Sequence, residues 1–254
     1  MGDVIKDYAP FLKKINGWNK NKFRTMKIVF RLSSPISTTY PWIFFDAVIT
    51  HLMFQKAFGR EIFITDKSIN LSQYMPKGGK PFSAMYDKAS KLAVPEVSVS
   101  VFRDNAEYKT ETIYKRFEER FASFNGKIRI GSGKFKSYAM KHIYVLADSV
   151  TFYLRGDRDF IETLIKENLF ALGSETRIGY GAIKDFDIEY TDKNFAIVSN
   201  GVAMRPIPIE FCEEYEDVAM IAYRAPYWSR KNVRMCVVPF TPCKLKAQWR
   251  KYYG

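Results

Sequence analysis

Two stretches of the chain place a short alternating strand directly before an apolar helical segment, and this order constrains the fold more than any other feature. The first begins with Met26-Lys27-Ile28-Val29-Phe30-Arg31-Leu32, whose alternation predicts a strand. Ser33-Ser34-Pro35 ends it, because proline restricts the residue before it. Pro41 then opens an apolar-rich segment, Trp42 to Phe58, which predicts a helix with proline in its first turn and Gly59 as its stop. The second begins with a strand from Ser149 to Arg155 and a turn at Gly156-Asp157. A helix follows, with Phe160, Ile161, Leu164, Ile165, Leu169 and Leu172 on its inner face and Gly173 as its expected C-cap. Val97-Ser98-Val99-Ser100-Val101 and Ile183 to Tyr190 alternate as further strands. Two strand-then-helix units, each followed by strands, predict an α+β chain on a doubled, ferredoxin-like plan, the architecture of RNA-recognition modules.

Residues 1–24 read as a basic N-terminal extension, 25–190 as the core, with an insertion at about 66–125, and 191–254 as C-terminal strands with a basic aromatic tail. Within the insertion, Pro76-Lys77-Gly78-Gly79-Lys80-Pro81 is expected as an exposed loop. Tyr114 to Phe121 fits either a helix or a long hairpin arm. No apolar run approaches the roughly 20 residues that span a bilayer, and the amino terminus lacks the features of a signal peptide. A cytoplasmic protein without a membrane partner is expected. Cys212, Cys236 and Cys243 lie far apart, form no C-x-x-C pair and have only His51 and His142 as companions. Free, buried thiols are expected, with no metal site and no cofactor.

Forty Lys and Arg against 27 Asp and Glu give a net charge of +13, a field that attracts polyanions. The excess is concentrated. Arg120 to Ala147 contains no acid, yet holds Lys127, Arg129, Lys134, Lys136, Lys141 and His142 among Phe121, Phe124, Phe135, Tyr138 and Tyr144. Beyond Asp217 no acid occurs, while Arg224, Arg230, Lys231, Arg234, Lys244, Lys246, Arg250 and Lys251 accumulate beside Tyr223, Tyr227, Trp228, Trp249, Tyr252 and Tyr253. Cations for phosphates interleaved with flat rings for bases point to single-stranded RNA.

Between the second helix and the last core strand lies Gly173-Ser174-Glu175-Thr176-Arg177-Ile178-Gly179-Tyr180-Gly181. The glycines at 173, 179 and 181 permit positive φ and a close approach of backbone N–H groups to phosphate, with Arg177 adding a forked charge and Tyr180 a ring or hydroxyl. The same residues also suit a helix cap followed by a tight turn.

In this context the turn resembles the glycine-rich loop of the CRISPR-associated RAMP superfamily. Lys27 to Ser34 with Pro35 is similar to that superfamily's first strand, and Phe45 to Leu52 to its first helix. Ser132 to Tyr138, the Tyr153 to Asp157 turn and Ala225-Pro226-Tyr227-Trp228 resemble the Cas-five-like subunits of type IV effector complexes, and the likeness runs from about Lys27 to about Pro239. The resemblance implies a RAMP fold and a non-catalytic subunit that holds the 5′ handle of a guide RNA and caps a filament of backbone subunits. The implied partners are the guide RNA, the backbone and large subunits of the complex and, through it, target DNA. The family's glycine loop falls on Gly173 to Gly181, its basic strand region on Lys134, Lys136 and Lys141 beside Tyr138, and its thumb-like insertion near Lys115 and Arg116. Arg224, Tyr227, Trp228, Arg230 and Lys231 form a second candidate RNA surface.

Enzymatic alternatives have narrower support. Gly131-Ser132-Gly133-Lys134 is similar to a phosphate loop but has Ile128 and Phe135 where that motif needs glycine and a hydroxyl, and neither a Gly-x-Ser-x-Gly elbow nor an H-E-x-x-H pair occurs. The serious rival is a metal-independent RAMP endoribonuclease processing repeat RNA, with His51, Tyr40 and Lys56 around the first helix as its acid, base and cation. Against it, His51 also fits a polar stripe with Asp46, Thr50 and Gln55. His142 is expected as an RNA contact or surface residue. The acidic cluster Glu213, Glu214, Glu216 and Asp217 offers a contact for a basic neighbouring subunit, or is a solvated loop.

Overall fold

The computed structural model describes residues 17–38, 41–58, 80–103, 105–116, 131–132 and 136–253. Strand β1 (Phe23–Leu32) buries Met26, Ile28 and Phe30 on one face, as its alternation requires. Strand β2 (Ile36–Ser37) and helix α1 (Phe45–Phe58) follow. Next come a hairpin of β3 (Ala84–Asp87) and β4 (Leu92–Pro95), the short β5 (Val101–Phe102), and a long hairpin of β6 (Glu107–Lys115) and β7 (Tyr138–Leu146). Strand β8 (Ser149–Asp157), helix α2 (Arg158–Asn168) and β9 (Ile183–Tyr190) complete the core.

Four of these strands form one antiparallel sheet in the order β5-β8-β1-β9. Both helices cover the same face. Phe45, Ile49 and Leu52 of α1 and Ile161, Leu164 and Ile165 of α2 join Met26, Ile28, Phe30, Phe152, Leu154 and Ile188 in one apolar cluster. Phe45 stacks on Phe152 with ring centroids 4.4 Å apart, which ties α1 to the sheet. The opposite face is neutralised by its own ion pairs, Lys27 with Glu189 at 2.7 Å and Arg31 with both Asp185 and Asp187. That face therefore offers no excess of positive charge.

Both helices are shorter than their periodicity suggests. Helix α1 starts at Phe45, three residues after Trp42, because its approach is held extended: Ser100 Oγ accepts the Ile43 N–H at 2.9 Å, the Ser100 N–H returns to the Ile43 carbonyl at 3.0 Å, and Phe44 bridges Val99. Pro41 consequently lies outside the first turn. Helix α2 is capped by Asp157, which accepts N–H bonds from Phe160 and from Asn19. It ends with Leu169 in extended conformation, and Phe170 to Leu172 then pair with Gly181 to Ile183. Gly173 is therefore not the C-cap. Leu172 still enters the core, but from an extended segment.

The expected strand over Val97 to Val101 is interrupted: Val97 bridges Leu154, Val99 bridges Phe44, and a regular ladder to β8 covers only Val101 and Phe102. Ser98 Oγ takes the Tyr153 N–H at 2.9 Å, so a side chain stands in for a ladder carbonyl. The segment open between helix and hairpin arm resolves at Tyr114 and Lys115, which end β6. Residues 117–121 lie outside the described residues.

The C-terminal part contributes β10 (Val198–Ser199), β11 (Val202–Ala203), β12 (Ile207–Pro208), β13 (Cys212–Tyr215), β14 (Val218–Ala222), β15 (Val233–Val237), β16 (Cys243–Leu245) and the single-turn α3 (Ala247–Arg250). Its core includes Met85, Leu92 and Val94 of the β3–β4 hairpin with Phe211, Tyr223, Val237 and Leu245. Part of the expected insertion thus belongs with the C-terminal strands. Glu213 pairs with Arg250 and Glu214 with Lys244, so the acidic cluster is partly neutralised by the basic tail. All three cysteines are free and buried. No helix among the described residues is long and apolar enough to cross a membrane.

Candidate functional site

The glycine turn is sewn to the end of β1 and to β2. Ser174 donates its N–H to the Ser37 carbonyl at 2.8 Å, Gly181 to Pro35 at 2.7 Å, and Ser33 to Ala182 at 2.9 Å. The three glycines serve different ends. A Cβ on Gly173 would lie 2.2 Å from the Ser37 carbonyl oxygen, and one on Gly181 would lie 1.8 Å from that of Leu172. Gly179 faces open space and needs only its φ of +100°. The expected backbone grip on phosphate is overturned at two positions, because the Gly179 N–H is taken by Thr176 and the Gly181 N–H by Pro35. What the turn presents outward is side chains, with Thr176, Arg177 and Ile178 exposed on a single 3₁₀ turn.

Tyr180 folds back from this turn onto the long hairpin. Its hydroxyl hydrogen bonds to the Glu111 carboxylate, and its ring lies 5.0 Å from His142 and 5.9 Å from Tyr144. The bond to Glu111 pushes the phenol up to about 12, so the hydroxyl remains a donor across the physiological range. His142 is buried beneath this contact at 6% exposure, with Nε2 lacking a hydrogen-bond partner. It is thus not the surface residue its basic neighbours suggested. Glu111 was invisible as a site residue because only the fold brings it to Tyr180, 69 residues away.

The register of the hairpin sorts the basic residues by face. Glu111 opposes His142, Lys109 opposes Tyr144 and Lys115 opposes Tyr138, so all six share the face that Tyr180 covers. Lys115 Nζ lies 5.8 Å from the centroid of the Tyr138 ring. Lys141 opposes Thr112 and falls on the other face with Tyr114, over whose ring Arg116 sits at 5.6 Å. Lys136 is exposed just before β7, and Lys134 lies outside the described residues. Lys115 and Tyr138 therefore share the hairpin face that Tyr180 covers, and Lys141 does not.

The C-terminal set divides as well. Tyr227 turns inward, donating to Asp46 Oδ1 at 2.6 Å and stacking on Phe44 at 3.7 Å, so its ring is not a platform for a base. Trp228, Arg230 and Lys231 are exposed. Arg224 is held by Asn232 Oδ1 at 3.1 Å and lines a cavity together with Lys231. Around α1, His51 is exposed, Lys56 pairs with Glu167 at 2.7 Å, and Tyr40 lies outside the described residues. No cluster of three or more metal-ligating side chains occurs among the described residues.

No curated protein matches the chain. Among solved structures, that of the type III-B Cmr-beta bound to cognate target RNA is similar at 11% identity and a TM-score of 0.33, over 67% of this chain and 62% of that chain. The chain thus covers less than two thirds of that solved protein. A family model for the CRISPR type IV associated protein Csf3 matches residues 24–239, from the second residue of β1 to just beyond β15, and the chain belongs to this family.

Proposed function

We propose that this type IV CRISPR-associated protein is the non-catalytic subunit that holds the 5′ handle of the guide RNA and caps the filament of backbone subunits. The observation that carries the reading is the docking of Tyr180 on the β6–β7 hairpin. It sets the loop bearing Arg177 against a face with Lys115, Tyr138 and Tyr144, combining a forked cation with rings on which bases stack. A ferredoxin-like RAMP core agrees with the strand and helix order of β1, α1, β5, β8, α2 and β9 and with the sheet order β5-β8-β1-β9. Because the open face of that sheet is occupied by its own ion pairs, the RNA is assigned to the loop and hairpin instead.

The nuclease alternative has weaker geometric support, since the Lys56 cation is engaged by Glu167. The decisive experiment incubates the full-length protein with repeat-derived guide RNA in EDTA. Retention of intact RNA is expected. Cleavage that disappears in His51→Ala would replace this reading with the nuclease, and no RNA binding would remove it.

A further inference from the structure

The end of β1 far from the glycine turn borders a cavity of about 720 Å³ between the core and the C-terminal strands. Nine residue steps along β1, about 30 Å, separate Phe23 at this cavity from Leu32 beside the turn. Its lining includes Lys20, Lys80, Arg224 and Lys231 and, among the described residues, no carboxylate. No ion pair among the described residues engages any of the four. Phe23, Phe82 and Pro226 supply apolar wall.

The walls are fixed by hydrogen bonds. The buried Asn232 accepts from Arg224 Nε at 3.1 Å and donates Nδ2 to the Pro226 carbonyl at 3.1 Å, holding the guanidinium and the loop beside it together. On the other side, Pro81 accepts the Asp157 N–H at 2.9 Å and Ser83 donates its N–H to Arg155 at 2.8 Å, pinning the segment after Lys80 to β8. Gly156 makes that approach possible, since a Cβ there would lie 2.5 Å from the Pro81 carbonyl oxygen. Burial lowers the Lys80 pKa; Asp46 opposes this, while Arg205 and Arg224 press it lower still. A charged Lys80 therefore gains from an anion that enters.

We propose that this cavity binds one phosphate-bearing nucleotide unit, with the four cations on its phosphate and the apolar wall against its base or sugar. The volume falls in the range of small-ligand pockets, roughly 300–1,000 Å³. Four cations with no carboxylate among the described lining residues suit a dianionic phosphate, and the volume suits a single nucleotide. The unit has two possible sources, a free nucleotide or one nucleotide of a bound RNA.

Titration calorimetry of the full chain with AMP, adenosine and inorganic phosphate tests this. AMP is expected to bind saturably and adenosine about tenfold more weakly or worse. Lys80→Gln and Lys231→Glu each weaken AMP by about tenfold or more, and the exposed Lys231 carries the test if Lys80→Gln does not fold. Displacement of AMP by an unstructured oligoribonucleotide identifies the strand as the source, and its absence identifies free nucleotide. The site is overturned by a lack of saturable AMP binding below about 1 mM, by equal affinity for adenosine, or by AMP binding that Lys231→Glu leaves unchanged. Arg177→Ala, in the glycine turn, leaves AMP affinity unaltered, which separates failure here from failure of the guide-RNA reading.

Discussion

Tyr227 donates its hydroxyl hydrogen to Asp46 Oδ1 at 2.6 Å, joining helix α1 to the loop between β14 and β15 across 181 residues of sequence. The fully buried Arg205 reaches the same hydroxyl at 3.2 Å while its other bonds go to the carbonyls of Pro95, Val97 and Tyr223. Asp46 Oδ2 has no hydrogen-bond partner, so the bond from the tyrosine to Oδ1 is the one side-chain hydrogen bond this buried carboxylate accepts among the described residues. Tyr227→Phe keeps the stacking on Phe44 and deletes only the hydroxyl. We expect a loss of about 1–3 kcal/mol in urea unfolding, the cost of leaving a buried acceptor unmade.

Alkaline pH probes the same junction. Burial holds the Tyr227 phenol well above its ordinary 10.0 and pushes the Cys236 thiol up to about 12 from 9.0. Each folded pKa exceeds the unfolded one, so the stability these groups contribute is complete below the unfolded values and is lost as pH rises through the folded ones. Denaturation midpoints are expected to hold from neutral pH to about pH 9 and to fall beyond it. Tyr227→Phe makes that fall shallower, because one of the groups responsible is gone.

The order of strands and helices was legible because it depends on local periodicity: the residues of β1 and the inner face of α2 alternate or recur according to which side meets the core. What was not legible depends on distant partners. Trp42 and Ile43 carry helical character, but residues 43–44 are held extended by residues 99–100. Gly173 follows a run of apolar residues as a C-cap would, yet its need for hydrogen in place of a side chain arises from the Ser37 carbonyl. Tyr227 stands among cations like a base-stacking ring, and only the position of Asp46 shows that it faces inward. Lys115 and Lys141 look equivalent in composition, and the register of the hairpin separates them.

The glycines of the turn provide a graded series. Gly179→Ala meets nothing within 4 Å, so it carries only the left-handed backbone penalty of about 1–2 kcal/mol. Gly181→Ala adds a Cβ 1.8 Å from the Leu172 carbonyl oxygen and must break the Leu172–Gly181 pairing. We expect the thermal midpoint to fall modestly for Gly179→Ala and by several times as much for Gly181→Ala. Equal effects would show that the turn does not close on Leu172 as described.

The proposed RNA surface depends on which face of the hairpin Tyr180 covers, and two lysines of the same hairpin test it. Lys115 shares that face with Tyr138, whereas Lys141 lies behind it with Tyr114. If guide RNA runs between the glycine turn and the covered face, Arg177→Ala weakens binding by about 1–3 kcal/mol, the range for a lost charge-assisted bond. Lys115→Ala acts in the same direction and lowers the salt dependence by about 0.7 in the log–log slope, the value for one phosphate contact on a single strand. Lys141→Ala removes the same formal charge and is expected to leave the slope nearly unchanged. Filter binding across a salt series reads all three variants. Equal losses for Lys115 and Lys141 would mean that net charge alone attracts the RNA, because a diffuse field does not distinguish the two faces of a hairpin.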